Sequence, residues 1–267
     1  MKSILFFTLV LFSTLSFQAQ RYFYVRPMAS MKANVSTFAG ARFSEPWNFS
    51  TNPYYTFYNY GLHLNNDEIN LGLSFGLKLD AKNAVELSFS GDNASVKSSF
   101  IYKDLLGPEY IIDNFTTSST GNSLLRISAE YHRVLAQNKR LALRSNIGLG
   151  VYIPTIANGN VDENPKEFTT PFFTATGTVS STSYYFISPI LKIGAGFDIK
   201  NKKGNPFCSL DIALIYNNKH GGYINETYKI QVTDNNQVTT SYLDGVKSNG
   251  TGFNFQLSFP IKVYEFK

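Results

Sequence analysis

The sequence predicts an all-β fold, an eight-stranded antiparallel up-and-down transmembrane β-barrel, and three observations predict it. Segment after segment alternates apolar and polar side chains with period two, over the roughly 9–11 residues that a tilted membrane strand needs. Beyond the first twenty residues no stretch approaches the ~18–20 consecutive apolar residues of a membrane helix. Short turns alternate strictly with long polar, aromatic-rich connections, as they do when all the short turns lie at one end of a barrel.

The N-terminus, MKSILFFTLVLFSTLSFQAQ, has the layout of a secretory signal: Lys2, an apolar run from Ile4 to Phe12, then small and polar residues. Residues 1–19 are expected to be removed, leaving 20–267 as the barrel. No Cys lies near the cleavage region, which argues against lipoprotein processing.

The first strand, VRPMASMKANVST, has the weakest alternation. In INLGLSFGLKLD, Ile69, Leu71, Leu73, Phe75, Leu77 and Leu79 share one face, and Lys78 lies on the other with Asn70 and Ser74. Residues 80–83, DAKN, then turn the chain into a strand with Val85, Leu87 and Phe89 opposite Glu86 and Ser88. A second hairpin joins Leu125, Ile127, Ala129 and Tyr131, opposite Arg126, Glu130 and His132, to Leu141–Val151, where Arg144 and Asn146 take the polar face; its turn is 137–140. A third sets Lys192 and Asp198 opposite Leu191, Ile193 and Phe197, turns at 201–205, and continues with Asp211 opposite Leu210, Ile212 and Leu214. The last strand, GFNFQLSFPIKVYEF, aligns Phe253, Phe255, Leu257, Phe259, Ile261 and Val263 against Asn254, Gln256, Ser258 and Lys262. The long connections fall at about 42–68, 101–122, 154–184 and 218–248. Within the last of these, YKIQVT and VTTSYL read as a further hairpin; ten membrane strands are the alternative count, disfavoured because this hairpin lacks a strong apolar row.

Composition agrees. Aromatics reach 15% and charged residues only 16%, with 17 Tyr and 23 Phe, while mean hydropathy is slightly negative at −0.14. Tyr22, Phe23, Tyr24, Tyr264 and Phe266 are expected to form a girdle at the turn end, and Tyr152, Tyr184, Tyr185 and Tyr216 one at the loop end. The formal charge of +5 is spread along the chain, so no nucleic-acid footprint is indicated. A lone Cys208 allows no internal disulfide, and no residue spacing suggests a metal site.

On these features the mature chain resembles the small outer-membrane β-barrel superfamily, the OmpX-, OmpA- and OmpW-type barrels, and the outer-membrane barrels common in Bacteroidota. The last strand, with Gly252 followed by Phe255 and Leu257 and an aromatic near the end, is similar to the superfamily's assembly signal. It departs by placing Lys267 after Phe266. The resemblance implies a cell outer-membrane location in a Gram-negative bacterium, contact with outer-membrane lipids and lipopolysaccharide, and insertion by the barrel-assembly machinery. Some members are lipid A deacylases with a His-x-Ser pair. Here the histidines read His63-Leu-Asn, His132-Arg-Val and His220-Gly-Gly, so that motif is absent and no catalysis or cofactor is expected.

The inward row would bring Lys78, Glu86, Arg126, Glu130, Arg144, Lys192, Asp198 and Asp211 together, with Arg26, Lys32 and Lys262, as an ion-pair network plugging the lumen. His132 reads as a satisfied lumenal histidine. Gly72, Gly76, Gly148, Gly150, Gly194 and Gly196 admit two readings: space for a narrow channel, or room for bulky neighbours. The loops are the expected binding surface, with Trp47, Tyr54, Tyr55, Phe57 and Tyr58 suited equally to stacking on a surface glycan, docking an envelope protein or packing on one another. The expected function is therefore a monomeric, non-catalytic structural or binding barrel. A narrow channel or hydrophobic-solute transporter is one alternative, and an accessory subunit of an envelope complex another.

Overall fold

The computed structural model describes residues 21–266 apart from 36, 39–54, 60–61, 65–68, 97, 104–108, 118–120, 156–160, 163–165, 170–172, 185, 203, 219–222 and 235–238. The expected signal segment lies outside the described residues.

Eight antiparallel strands close on themselves. They are β1 (Arg21–Val35), β2 (Asn70–Lys78), β3 (Asn83–Ser95), β4 (Gly121–Gln137), β5 (Leu141–Pro154), β6 (Ser188–Lys200), β7 (Pro206–Asn217) and β8, which runs as Gly252–Ser258 and Ile261–Phe266. Each pairs with its sequence neighbours, and β8 pairs with both β7 and β1, so the sheet has no free edge and the up-and-down order is complete. Eight strands, not ten, form the wall. β8 is interrupted at Phe259–Pro260, where Phe259 N–H still reaches the Pro27 carbonyl at 3.0 Å; Pro27 and Pro260 lack the N–H that a regular ladder needs.

The three short turns are held by one device, an Asp or Asn side chain accepting from the backbone two to four residues on. Asp80 accepts from the N–H groups of Lys82 (2.7 Å) and Asn83 (2.8 Å); Asn138 accepts from Arg140 and Leu141, both at 2.8 Å; Asn201 accepts from Asn205 at 3.1 Å. Gly204 supplies the positive φ of 80° that closes the third.

At the opposite end the long connections are built of further strands. The expected extra hairpin is present as Ile224–Asp234 with Thr239–Ser248, but it pairs with Phe173–Ser183 and with Thr37–Phe38 in a second sheet outside the barrel. A third sheet joins Tyr55–Asn59, Ser98–Lys103 and Glu109–Thr117.

The pleat divides the wall by chemistry. Outward-facing Leu71, Ile147, Leu149, Ile193, Phe197 and Ile212 are all at least half exposed and form a belt round the barrel. The inward row is buried and mostly polar. An inside-out distribution of this kind leaves an apolar surface far larger than a water-soluble monomer tolerates.

Three expectations need correction. Tyr24 and Tyr152 do not belong to girdles: they are 4% and 0% exposed, and their hydroxyls enter the lumen, because they share inward parity with Arg26 and Arg144. Lys262 does not join the buried network: it shares the inward parity of its ladder partner Tyr24 but stands at the turn-end mouth, about one-third exposed, over the Tyr22 ring and paired with Glu265 at 2.7 Å. Tyr216, Tyr264 and Phe266 are exposed as girdle residues should be.

Candidate functional site

The lumen is the one described region where ionisable groups converge, and its contents follow from strand parity. Five buried cations, Arg26, Lys32, Arg126, Arg144 and Lys192, meet five buried carboxylates, Glu86, Asp92, Glu130, Asp198 and Asp211. The formal charges cancel, as burial requires: each ion left alone would cost several kcal/mol, on the order of the penalty for desolvating it.

Two layers can be distinguished. In the layer nearer the turns, Glu86 and Glu130 stand directly opposite on β3 and β4, an arrangement that would be repulsive if uncompensated. Arg26 takes Glu86 at 2.9 Å, with the Tyr24 hydroxyl donating at 2.5 Å and Ser74 at 3.1 Å. Lys192 donates to both oxygens of Glu130, at 2.9 and 2.8 Å, and Ser128 adds a bond at 2.8 Å. Arg144 bridges the other wall, reaching Asp198 through Nε at 2.8 Å and Asp211 through Nη2 at 2.6 Å. Its Nη1 lies 2.6 Å from His132 Nδ1. A guanidinium only donates, so Nδ1 must accept and the ring N–H sits on Nε2, directed between Glu130 (3.5 Å) and Glu86 (3.6 Å).

In the layer nearer the loops, Asp92 is the hub. It accepts from Lys32 at 2.7 Å, from Arg126 at 2.9 Å and from the Tyr152 hydroxyl at 3.0 Å. Lys32 also reaches the Asn93 carbonyl and Tyr152, both at 2.9 Å. Above Asp92 an apolar seal closes the lumen: Leu124, Tyr152, Ile190, Ile215 and Tyr223 are buried together, and Phe186 stacks on Tyr223 at 4.4 Å. Ser188 and Tyr223 share a hydrogen bond of 2.5 Å, and Asn217 ties Ser188 to the Asn249 carbonyl.

The glycines make room for these groups. A side chain at Gly76 would collide with the Tyr24 ring, and one at Gly196 with the Asp211 carboxylate. What remains open is a vestibule at the turn end, about 240 Å³, lined by Tyr22, Lys78 and Lys200 among others; next to Arg144 and His132 the free space shrinks to about 30 Å³.

Of the residues expected in the network, Glu86, Glu130, Arg144, Lys192, Asp198 and Asp211 share the first layer and Arg126 the second. Lys78 stands at the vestibule wall. Asp92, the hub of the second layer, was missed: GDN reads as a turn, although continued even-numbered parity from Glu86 through Ser90 would have found it. Trp47 and Tyr54 lie outside the described residues. Tyr55, Phe57 and Tyr58 belong to the strand Tyr55–Asn59, of which the backbone alone is described. Among the described residues, no group of His, Cys, Asp and Glu has a geometry that would hold a metal ion.

No protein-family model matches the sequence, and no curated protein matches it. Several solved structures align with it, two outer-membrane proteins among them. The outer membrane protease OmpT of Escherichia coli aligns over 93% of this chain and 99% of its own at 8% identity, with a TM-score of 0.24. The outer membrane channel DcaP of Acinetobacter baumannii aligns over 90% and 96% at 10% identity, with a TM-score of 0.11. At this level neither the protease activity of the one nor the channel of the other transfers to this chain.

Proposed function

We propose that this chain is an integral outer-membrane barrel whose lumen is a structural plug and whose loop-end sheets are its functional surface, contacting an external ligand, a surface glycan or another envelope protein. The observation that carries the reading is the pairing of an outward apolar belt with a lumen filled by a charge-balanced network and closed by the Tyr223 seal. The belt suits a hydrocarbon solvent, and eight strands leave an interior that side chains can fill. The turn end then faces the periplasm and the loop end the exterior. The two carboxylates beside His132 are held by Arg26 and Lys192 as part of the plug. The protein acts as a monomer without a cofactor.

A cysteine scan along β6, in a Cys208→Ser background, tests this. Ile193→Cys, Ala195→Cys and Phe197→Cys should react with a membrane-partitioning maleimide in whole cells, whereas the inward Ser188→Cys, Ile190→Cys and Lys192→Cys should not. Equal reaction on both faces, or reaction of all six with a membrane-impermeant reagent, would remove the reading.

A further inference from the structure

The barrel is electrically polar along its axis. The lumen is neutral, yet the three turns with their flanks, residues 78–83, 133–141 and 199–206, carry eight Lys and Arg against one carboxylate, Asp80. The connections at the other end, residues 36–69, 96–120, 155–187 and 218–251, carry seven Lys and Arg against twelve Asp and Glu. Neutralisation inside the wall therefore leaves the turn end strongly cationic and the loop end acidic. No turn is without a cation: Lys82 comes from the first, Lys139 and Arg140 from the second, Lys202 from the third, and all four are exposed. Arg133 projects from the outward face of β4 between Tyr131 and Leu135, so it leaves the wall where the apolar belt ends.

We infer that this cationic collar binds anionic phospholipid headgroups of the leaflet at the turn end. The inference rests on the membrane reading above. Two features select a lipid surface over a soluble acidic partner. The cations are spread round the rim and do not gather on one flank, matching a ring of headgroups and not a single docked body. The collar also adjoins exposed Leu141, Phe207, Tyr264 and Phe266, which fix that rim at the boundary between hydrocarbon and headgroup. Long cationic side chains there extend their heads to the phosphates while their stems lie on apolar surface. Anionic headgroups gain from each such contact, and the gain is screened by salt.

The test uses the full mature protein in nanodiscs of phosphatidylcholine containing a minor fraction of phosphatidylglycerol, with heat-modifiable gel mobility confirming insertion. Native mass spectrometry of the released protein then counts the lipids retained. The retained pool should be enriched in phosphatidylglycerol by about tenfold over its bulk fraction, the effect of one or two cations engaging a headgroup. Lys139→Gln/Arg140→Gln/Lys202→Gln should bring the ratio towards bulk, as should assembly in roughly 0.5 M salt. Lys82→Gln/Lys202→Gln, on different turns, should give an intermediate ratio. Inserted wild type retaining lipids at the bulk ratio, or unchanged enrichment in both variants, overturns the inference. Capture of soluble polyglutamate without lipid enrichment does so too. Failure of the wild type to insert overturns the membrane reading itself.

Discussion

Replacing Arg144 with Met removes the one side chain that compensates Asp198 and Asp211 together, at 2.8 and 2.6 Å, and the donor facing His132 Nδ1. Met keeps the length of the side chain and no charge. Two carboxylates on the neighbouring strands β6 and β7, both under a tenth exposed, are then left without their cation. Breaking one buried pair costs about 3–5 kcal/mol, chiefly because the surviving charge stays buried. The second carboxylate does not double this, since partners in one network are not additive and the vestibule beside Asp198 gives it some access to water. Arg144→Met should therefore destabilise by about 3–5 kcal/mol. Adding Asp198→Asn and Asp211→Asn removes the stranded charges, so the triple variant should recover more than half of the loss. The assay is urea unfolding of protein refolded in vesicles of phosphatidylcholine alone, which offer the cationic collar no anionic lipid, followed by gel mobility, with the exposed Lys139→Ala as a control expected within about 0.5 kcal/mol of wild type. Arg144→Met as stable as wild type, or a triple variant no better than the single one, would refute the claim that the lumen is held by charge compensation.

Three further outcomes are expected in the same assay. Tyr152→Phe deletes a hydroxyl shared by Lys32 and Asp92 and should cost about 1.5–3 kcal/mol, the range for bonds to charged groups; a cost near zero would detach Tyr152 from the second layer. Gly76→Ala drives a methyl into the Tyr24 ring and should cost about 1–3 kcal/mol, whereas Gly76→Ala with Tyr24→Ala should lose less than the two single costs combined. In the first turn, burial pushes the Asp80 carboxyl up, but donation from the Asn83 side chain and from the Lys82 and Asn83 N–H groups, with the nearby Lys78 charge, together outweighs it and holds the group below the usual carboxylate range. A depressed folded value gives stability present above the usual range and lost as pH falls through the depressed one. The stability gap between wild type and Asp80→Ala should thus be constant near neutrality and shrink on acidification; a gap that widens in acid would contradict this sign.

Much of the wall was legible because its period is two and each face meets a different solvent. Leu191 to Asp198 alternates without a fault, and the ladder reproduces that parity against β5 and β7. The short turns were legible through Asp80, Asn138 and Asn201, whose side chains organise them. Where local signals conflict with parity, the reading failed. Tyr24 and Tyr152 carry both an apolar ring and a polar tip, so proximity to a strand end drew them to the girdles although parity sends them inside. Asp92 follows Gly91 and precedes Asn93, a run that resembles a turn until pairing with Leu124 carries β3 onward. The seal could not be read at all, because Tyr223 reaches Ser188 and Tyr152 across the barrel from a distant connection, and period alone holds no information about such contacts.

The central claim is that the lumen is a plug, and planar-bilayer conductance of refolded protein tests it most directly, with heat-modifiable mobility showing that folded barrel is present. Folded wild type should give no discrete openings, because two ionic layers and the Tyr223 seal lie in series along the axis. Reproducible single-channel openings from folded wild-type protein would contradict the plug and make solute passage the working function.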